Sequence, residues 1–195
     1  MSRRGVRITG GELKGRTVAV PRSVRPTEGR VREALFSIWV RELSGSRLLD
    51  LFAGSGVVAA EAAGRGALSV VAVESDPRAL RSLEANLRDL ELEAIVEIRR
   101  GELPGVLESW TRERRSPFHL IFADPPYGFG EYPGAYEDLL RAAEPLLAEE
   151  GQICVEHSVR VELPVEVDTG SGPLIRADVR RYGESALSFY RRLSP

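Results

Sequence analysis

The chain is poor in the residues that build covalent staples and metal centres. It has one cysteine, Cys154, and two histidines, His119 and His157, in 195 residues. A lone cysteine excludes an intramolecular disulfide and any Cys-x-x-Cys motif, and three scattered soft ligands make no metal cluster. Apolar runs are short. None approaches the ~18 residues of a membrane span, and no apolar segment of a secretory signal follows the basic stretch at residues 1–5. These absences point to a cytoplasmic protein with no membrane contact and no metal. Serine hydrolase chemistry also lacks its motif. Ser55 has a glycine on each side, but Ala53 stands where the first glycine of Gly-x-Ser-x-Gly should fall. Cys154, in an apolar run, is expected in the core.

What the chain does have is charge, unevenly spread. The net charge is −2, yet residues 1–47 hold eleven Lys and Arg against four acids. A basic head on an acidic body points to contact with a polyanion, a solvated arm being the alternative. Lys14 is the sole lysine among 27 basic residues.

The length suits one domain with a small appendage. We place a basic arm at residues 1–24, with strands at 6–9 and 16–20 around a Gly-Gly-Glu-Leu-Lys-Gly turn, and the main domain at 25–195. Thr27 is a candidate cap for a helix whose apolar face is Val31, Ala34, Leu35 and Ile38, with Trp39 packed beside it. From Arg47 strands and helices alternate. Strands are expected at 48–52, 69–74, 94–98, 118–123 and 152–156. Helices are expected at 57–65, after the Asp76-Pro77 cap with a Leu80, Leu83, Leu87 and Leu90 stripe, at 103–110, and at 135–147. Residues 159–173 read as irregular, and an antiparallel pair at 175–182 and 186–192 closes the chain. This is a Rossmann-like α/β fold, with a seven-stranded, mostly parallel sheet and helices on both faces.

Ligands in such sheets bind at the carboxyl ends of the strands. Four such ends carry polar or glycine-rich groups. Asp50, Phe52, Ala53, Gly54, Ser55 and Gly56 follow the first strand of the alternation, Glu74 and Ser75 the second, Gly101 and Glu102 the third. Gly54-x-Gly56-x-x-Ala59 fits a loose dinucleotide fingerprint, and Glu74 is suited to ribose hydroxyls. A carboxylate at Asp50 favours a ligand with a cationic amino group over a pyrophosphate. The fourth end is Asp124-Pro125-Pro126-Tyr127. The prolines stop the strand and stiffen a loop that offers an acid, backbone carbonyls and an aromatic face. Such a loop suits a flat, amino-bearing group. Tyr132 and Tyr136 either fold over it or pack the loop.

Leu49 through Gly56 together with Asp124–Tyr127 resembles the class I S-adenosylmethionine-dependent methyltransferases that act on exocyclic amines. More narrowly, the chain resembles the bacterial RsmD family of 16S ribosomal RNA guanine-N2 methyltransferases. That match rests on residues 7–16, on Arg25-Pro26-Thr27 with residues 30–36, on Val155-Glu156-His157, and on residues 181–190. It covers nearly the whole chain. Two positions depart from the family pattern. Glu102 stands where an Asp commonly holds the adenine end of the cofactor, and Gly29 replaces a polar residue. The resemblance implies that S-adenosyl-L-methionine is converted to S-adenosyl-L-homocysteine, with Asp50, Phe52 to Gly56, Glu74, Ser75, Gly101, Glu102 and Asp124 around the cofactor. It implies catalysis by Asp124, Pro125, Pro126 and Tyr127, acting on 16S RNA within an assembling or assembled 30S subunit. Arg3, Arg4, Arg7, Lys14, Arg16 and Arg22 would grip phosphates, and Arg25, Thr27 and Arg30 would line the cofactor or base pocket. A monomer is expected. DNA adenine-N6 methylation, and a non-catalytic RNA-binding assembly factor that holds cofactor without turnover, are the alternatives.

Overall fold

The computed structural model describes residues 4–21, 29–112 and 117–193. They fall into two compact units, residues 1–101 and 102–195.

The first unit opens with an antiparallel hairpin, β1 (Arg4–Arg7) and β2 (Thr17–Val20), paired from Arg4 opposite Val20 to Arg7 opposite Thr17. Ile8, Val18 and Val20 are buried, so the hairpin contributes to the core of this unit. Helix α1 spans Gly29–Ile38, and the cap expected at Thr27 lies outside the described residues. Its buried face differs from the expected one. Ala34 and Ile38 are only half-buried, whereas Val31, Arg32, Leu35 and Phe36 are buried, followed by Trp39. Arg32 can lie inside because Glu61, itself fully buried, accepts from its Nε at 2.7 Å. A buried charge is tolerated only with such a partner.

Parallel βα units follow: β3 (Arg47–Asp50), α2 (Val57–Gly64), β4 (Ser69–Glu74), α3 (Pro77–Asp89) and β5 (Val96–Arg100). The spatial order is β5-β4-β3, with Leu48 opposite Val70 and Val70 opposite Val96. Helix α2 is apolar on nearly every side and is buried along its whole length, the expected fate of such a helix. In α3 the Asp76 carboxylate accepts from the amides of Arg78 and Ala79 at 2.9 and 2.8 Å, Pro77 opens the first turn, and the four-leucine stripe is buried.

The second unit contains α4 (Gly105–Arg112), β6 (Phe118–Ala123), α5 (Ala135–Ala143), β7 (Leu147–Ser158), β8 (Glu166–Asp168), β9 (Pro173–Tyr182) and β10 (Ser185–Arg192). Their order is β6-β7-β10-β9-β8, with only β6 and β7 parallel. Helix α5 ends four residues earlier than the pattern indicates. Pro145 has no N–H to continue it, and Glu144–Leu146 tightens into a 3-10 turn. Arg192 secures this bend, donating to the carbonyls of Glu144, Leu147 and Ala148 at 2.8, 2.9 and 3.0 Å and pairing with the buried Glu144 carboxylate. The stretch read as irregular contains β8, whose Val167 is buried opposite Leu174. Outside the hairpin the described residues therefore form eight strands, not seven. Among the described residues no helix is long and apolar enough to cross a membrane.

Candidate active site

In the first unit the candidate residues gather where the parallel strands end. Asp50 closes β3 and is buried, 1% exposed. The chain then turns through Phe52–Gly56 into α2. The Ala53 amide donates to the Val73 carbonyl at 2.9 Å, and the Gly56 amide donates back to the Ala53 carbonyl at 2.8 Å. Gly56 has φ +83°, and a Cβ there would fall 2.3 Å from Leu83 Cδ1. Only glycine satisfies both conditions without strain.

Glu74 ends β4 with its carboxylate folded back over this turn. Its Oε2 accepts from the Gly54 amide at 2.8 Å, and its Oε1 accepts from the amides of Ser75 and Asp76 at 2.7 and 2.8 Å. The Gly101 amide donates to the Glu74 carbonyl at 3.1 Å. Asp50, Gly54 to Gly56, Glu74, Ser75 and Gly101 are thus assembled at one edge of the unit. The set fits a nucleoside bearing an amino group. It offers a buried carboxylate, a glycine turn that a ligand can approach closely, and a fixed carboxylate with an acceptor site left on Oε2 for a hydroxyl. Glu102 belongs to the second unit, where it is exposed and its carbonyl accepts from Val106 at the start of α4 at 3.1 Å.

In the second unit β6 ends at Ala123, and Asp124 and Pro125 are half-buried. The Phe129 amide donates to the Pro126 carbonyl at 3.1 Å, and Gly128 has φ 86° and ψ −9°. This is a type II turn, which requires φ > 0 at its third residue. Tyr127 sits at the second position and is 84% exposed. The turn corrects one expectation. Of the loop's two proline carbonyls, that of Pro126 is taken by the turn, which leaves Pro125's to a ligand. Tyr136 packs the loop instead of covering it, its ring 5.3 Å from that of Phe129 in an edge-on contact, while Tyr132 is exposed. Burial, with the Asp124 carboxylate nearby, pushes the Tyr136 phenol up.

The described basic candidates lie on the hairpin and at the start of α1. Arg3, Arg22, Arg25 and Thr27 lie outside the described residues. Arg4 starts β1. Arg7, Lys14, Arg16 and Arg30 are exposed, although Arg16 donates to the Asp89 carbonyl at 2.9 Å. Cys154 is buried, and His119 is exposed on β6. His157 lies inside β7, not in a loop after it. Its Nδ1 donates to the Ser158 carbonyl at 2.9 Å, so Nε2 accepts from the Ser188 hydroxyl at 2.8 Å. Burial holds its pKa below the usual histidine range.

Two important residues escaped the sequence reading. Asn86 is buried in α3 and binds both the hairpin and the glycine turn. Glu61 is buried in α2 and binds Arg32, Arg65 and Thr9. Each is a polar residue inside an otherwise apolar stripe, which was the available signal.

A parallel βα sheet with ligand-type groups at its strand ends, extended by antiparallel strands, is the Rossmann-like fold of class I methyltransferases. The Escherichia coli protein yhhF has this fold with a TM-score of 0.79 at 28% identity, over 98% of this chain and 100% of that one. A hypothetical protein of Thermus thermophilus, TTHA0928, matches with a TM-score of 0.80 at 33% identity, over 95% and 99%. In sequence, the ribosomal RNA small subunit methyltransferase D of Escherichia coli K12 is 32% identical over 83% of this chain and 76% of its own length. Bacillus subtilis YlbH is 33% identical over 96% and 99%. The family model described as conserved hypothetical protein 95 matches residues 6–191. The chain belongs to this family, the RsmD family that its sequence resembles.

Proposed function

We propose that this chain transfers a methyl group from S-adenosyl-L-methionine to the exocyclic N2 amine of a guanine in 16S ribosomal RNA. The observation that carries the reading is the loop after β6. It presents Asp124, the Pro125 carbonyl and the exposed ring of Tyr127 in a chain whose Escherichia coli relative is named a ribosomal RNA small subunit methyltransferase. The cofactor, when bound, supplies an electrophilic methyl on a sulfonium. Asp50 would meet its amino group, Glu74 its ribose hydroxyls, and the Gly54–Gly56 backbone would permit its close approach.

The amine is a poor nucleophile because its lone pair is delocalised into the base. Asp124 and the Pro125 carbonyl accept its two N–H bonds. They turn the lone pair out of conjugation and stabilise the positive charge that develops on nitrogen. One proton must leave the nitrogen as the new bond forms, and in this reading Asp124 takes it. Tyr127 supplies a face for the base. A guanine inside a helix cannot present N2 to such a loop, so the substrate is a looped or flipped nucleotide. The exposed Arg7, Lys14 and Arg16 then serve phosphate contact, and Arg30 lines the cofactor or base pocket. The partner is the RNA of an assembling or assembled small subunit, and a cytoplasmic monomer suffices for the reaction.

Asp124→Asn tests the mechanism. The amide cannot take the proton and offers a weaker acceptor, so kcat falls by about 10²–10³. Affinity for S-adenosyl-L-homocysteine, measured by calorimetry, stays within about twofold. Turnover at the wild-type rate would remove Asp124 from its role.

A further inference from the structure

The loop after β6 has a neighbour that the proposed chemistry has not used. β6 and β7 run parallel, with Phe122 opposite Cys154 and Ala123 opposite Val155. One residue further on, Asp124 leaves β6 level with Glu156, which is still inside β7. Side chains alternate along a strand, so Cys154 and Glu156 share a face, and that face is shared by Phe122 and Asp124 on the adjacent strand. The Cys154 thiol lies close enough to both carboxylates to feel their charge. Burial pushes it well up, and Glu156 and Asp124 push it further.

Glu156 is only 7% exposed, in a strand whose preceding residues Ile153, Cys154 and Val155 form apolar core. It is flanked by β10, where Leu187 stands opposite it. The next residue, His157, is fixed by the Ser188 hydroxyl and the Ser158 carbonyl. The backbone that carries Glu156 is therefore held from both sides. Glu156 thus brings an acceptor-only side chain to the face it shares with Asp124.

We propose that Glu156 selects guanine by accepting its N1–H beside the amine that Asp124 holds. This rests on the guanine-N2 reading above and deepens it. Guanine presents N1–H and the N2 amine as adjacent donors along one edge. Two carboxylates side by side are acceptors only, and they match that edge. Adenine presents the opposite pattern. The atom beside its N6 amine is N1, whose lone pair would face the Glu156 carboxylate with no hydrogen between them. A site built to meet a donor rejects an analogue that lacks it far more strongly than shape alone allows. The choice of guanine over adenine, which Asp124–Tyr127 leaves open, then lies in the second strand of the pair.

The test uses the full chain and RNA carrying either guanine or 2-aminopurine at the position found to be modified. 2-Aminopurine keeps the C2 amine but has a lone pair at N1. The wild-type chain should favour guanine in kcat/KM by about 100-fold or more. Glu156→Gln can turn an amide N–H toward N1. It should lose activity on guanine, gain on 2-aminopurine, and bring the ratio within about tenfold. Binding of S-adenosyl-L-homocysteine should be unchanged. If both substrates fall together and the ratio stays at the wild-type value, Glu156 is only structural and the inference is overturned. If Glu156→Gln does not fold, the wild-type ratio decides, and a value near unity overturns the inference. N2-methylguanosine formed with no discrimination by Glu156 leaves the proposed function standing. Failure to methylate guanine at all removes both.

Discussion

The side chain of Asn86 holds the Ser55 carbonyl at 2.9 Å while it binds both backbone groups of Ala19, accepting from the amide at 2.9 Å and donating to the carbonyl at 2.8 Å. One buried amide thus joins the glycine turn after β3, the second strand of the basic hairpin and helix α3. Ser82, one turn earlier in α3, adds a bond to the same Ala19 carbonyl at 2.9 Å. The arm is fastened to the edge that carries Asp50 and Glu74, which explains how an isolated hairpin, unstable by itself, is held in place.

Asn86→Ala leaves the Ser55 carbonyl and the Ala19 amide without this partner. Each unsatisfied buried group costs about 1–3 kcal/mol. A loss of about 2–4 kcal/mol in unfolding free energy is expected by urea titration. Asn86→Asp should be at least as damaging as Ala, because its second carboxylate oxygen would face the Ser55 and Ala19 carbonyls as a buried charge without a donor.

The Glu61 cluster makes a prediction about pH. Burial alone would raise the Glu61 carboxyl. Hydrogen bonds from Thr9, Arg65 and Arg32, with the Arg32 charge, outweigh burial and hold it below the ordinary value of 4.5. A carboxyl whose folded pKa lies below its unfolded one stabilises the fold above the unfolded value, and that stability is lost as pH falls through the folded value. The Glu61 contribution should therefore be fully present at pH 6, and unfolding free energy should drop as pH is lowered through about 4.5 and below. Arg32→Ala should cost about 3–5 kcal/mol at neutral pH, because it strands part of a buried charge. Replacing Arg32 and Glu61 together with Met and Leu should cost much less than the two single losses combined.

Tyr127 is exposed on its turn, so its removal should spare the fold. Tyr127→Ala should leave the melting temperature within about 2 °C and raise KM for RNA by about 5- to 100-fold, the value of one stacked base. Tyr127→Phe keeps the ring face and should restore binding. An equal loss with Phe would show that the hydroxyl matters and the stacking role is wrong.

Much of this architecture was legible because the signals were local. Asp76-Pro77 and the leucine stripe gave α3, and alternating βα patterns gave parallel strands that end at Asp50 and Glu74 in the first unit and just before Asp124 in the second. The less legible features depend on partners distant in sequence. Arg32 looks solvated until Glu61, 29 residues away, is placed beside it. Asn86 reads as a break in an apolar stripe until Ala19, 67 residues away, supplies its partners. Strand β8 forms because β9 offers an edge to pair with, and its own three residues carry no strand signal. Glu156 is named by the family pattern, but only its register beside Asp124 gives it a task.

The most direct test of the account is the identity of the methylated product. The chain is incubated with methyl-labelled S-adenosyl-L-methionine and, in parallel, 16S RNA, 30S particles and DNA. The nucleic acid is then digested and its nucleosides are separated. The account predicts label in N2-methylguanosine from the RNA or the particles and none in DNA. Label in N6-methyladenine from DNA, or no labelled nucleoside from any of the three, would contradict it.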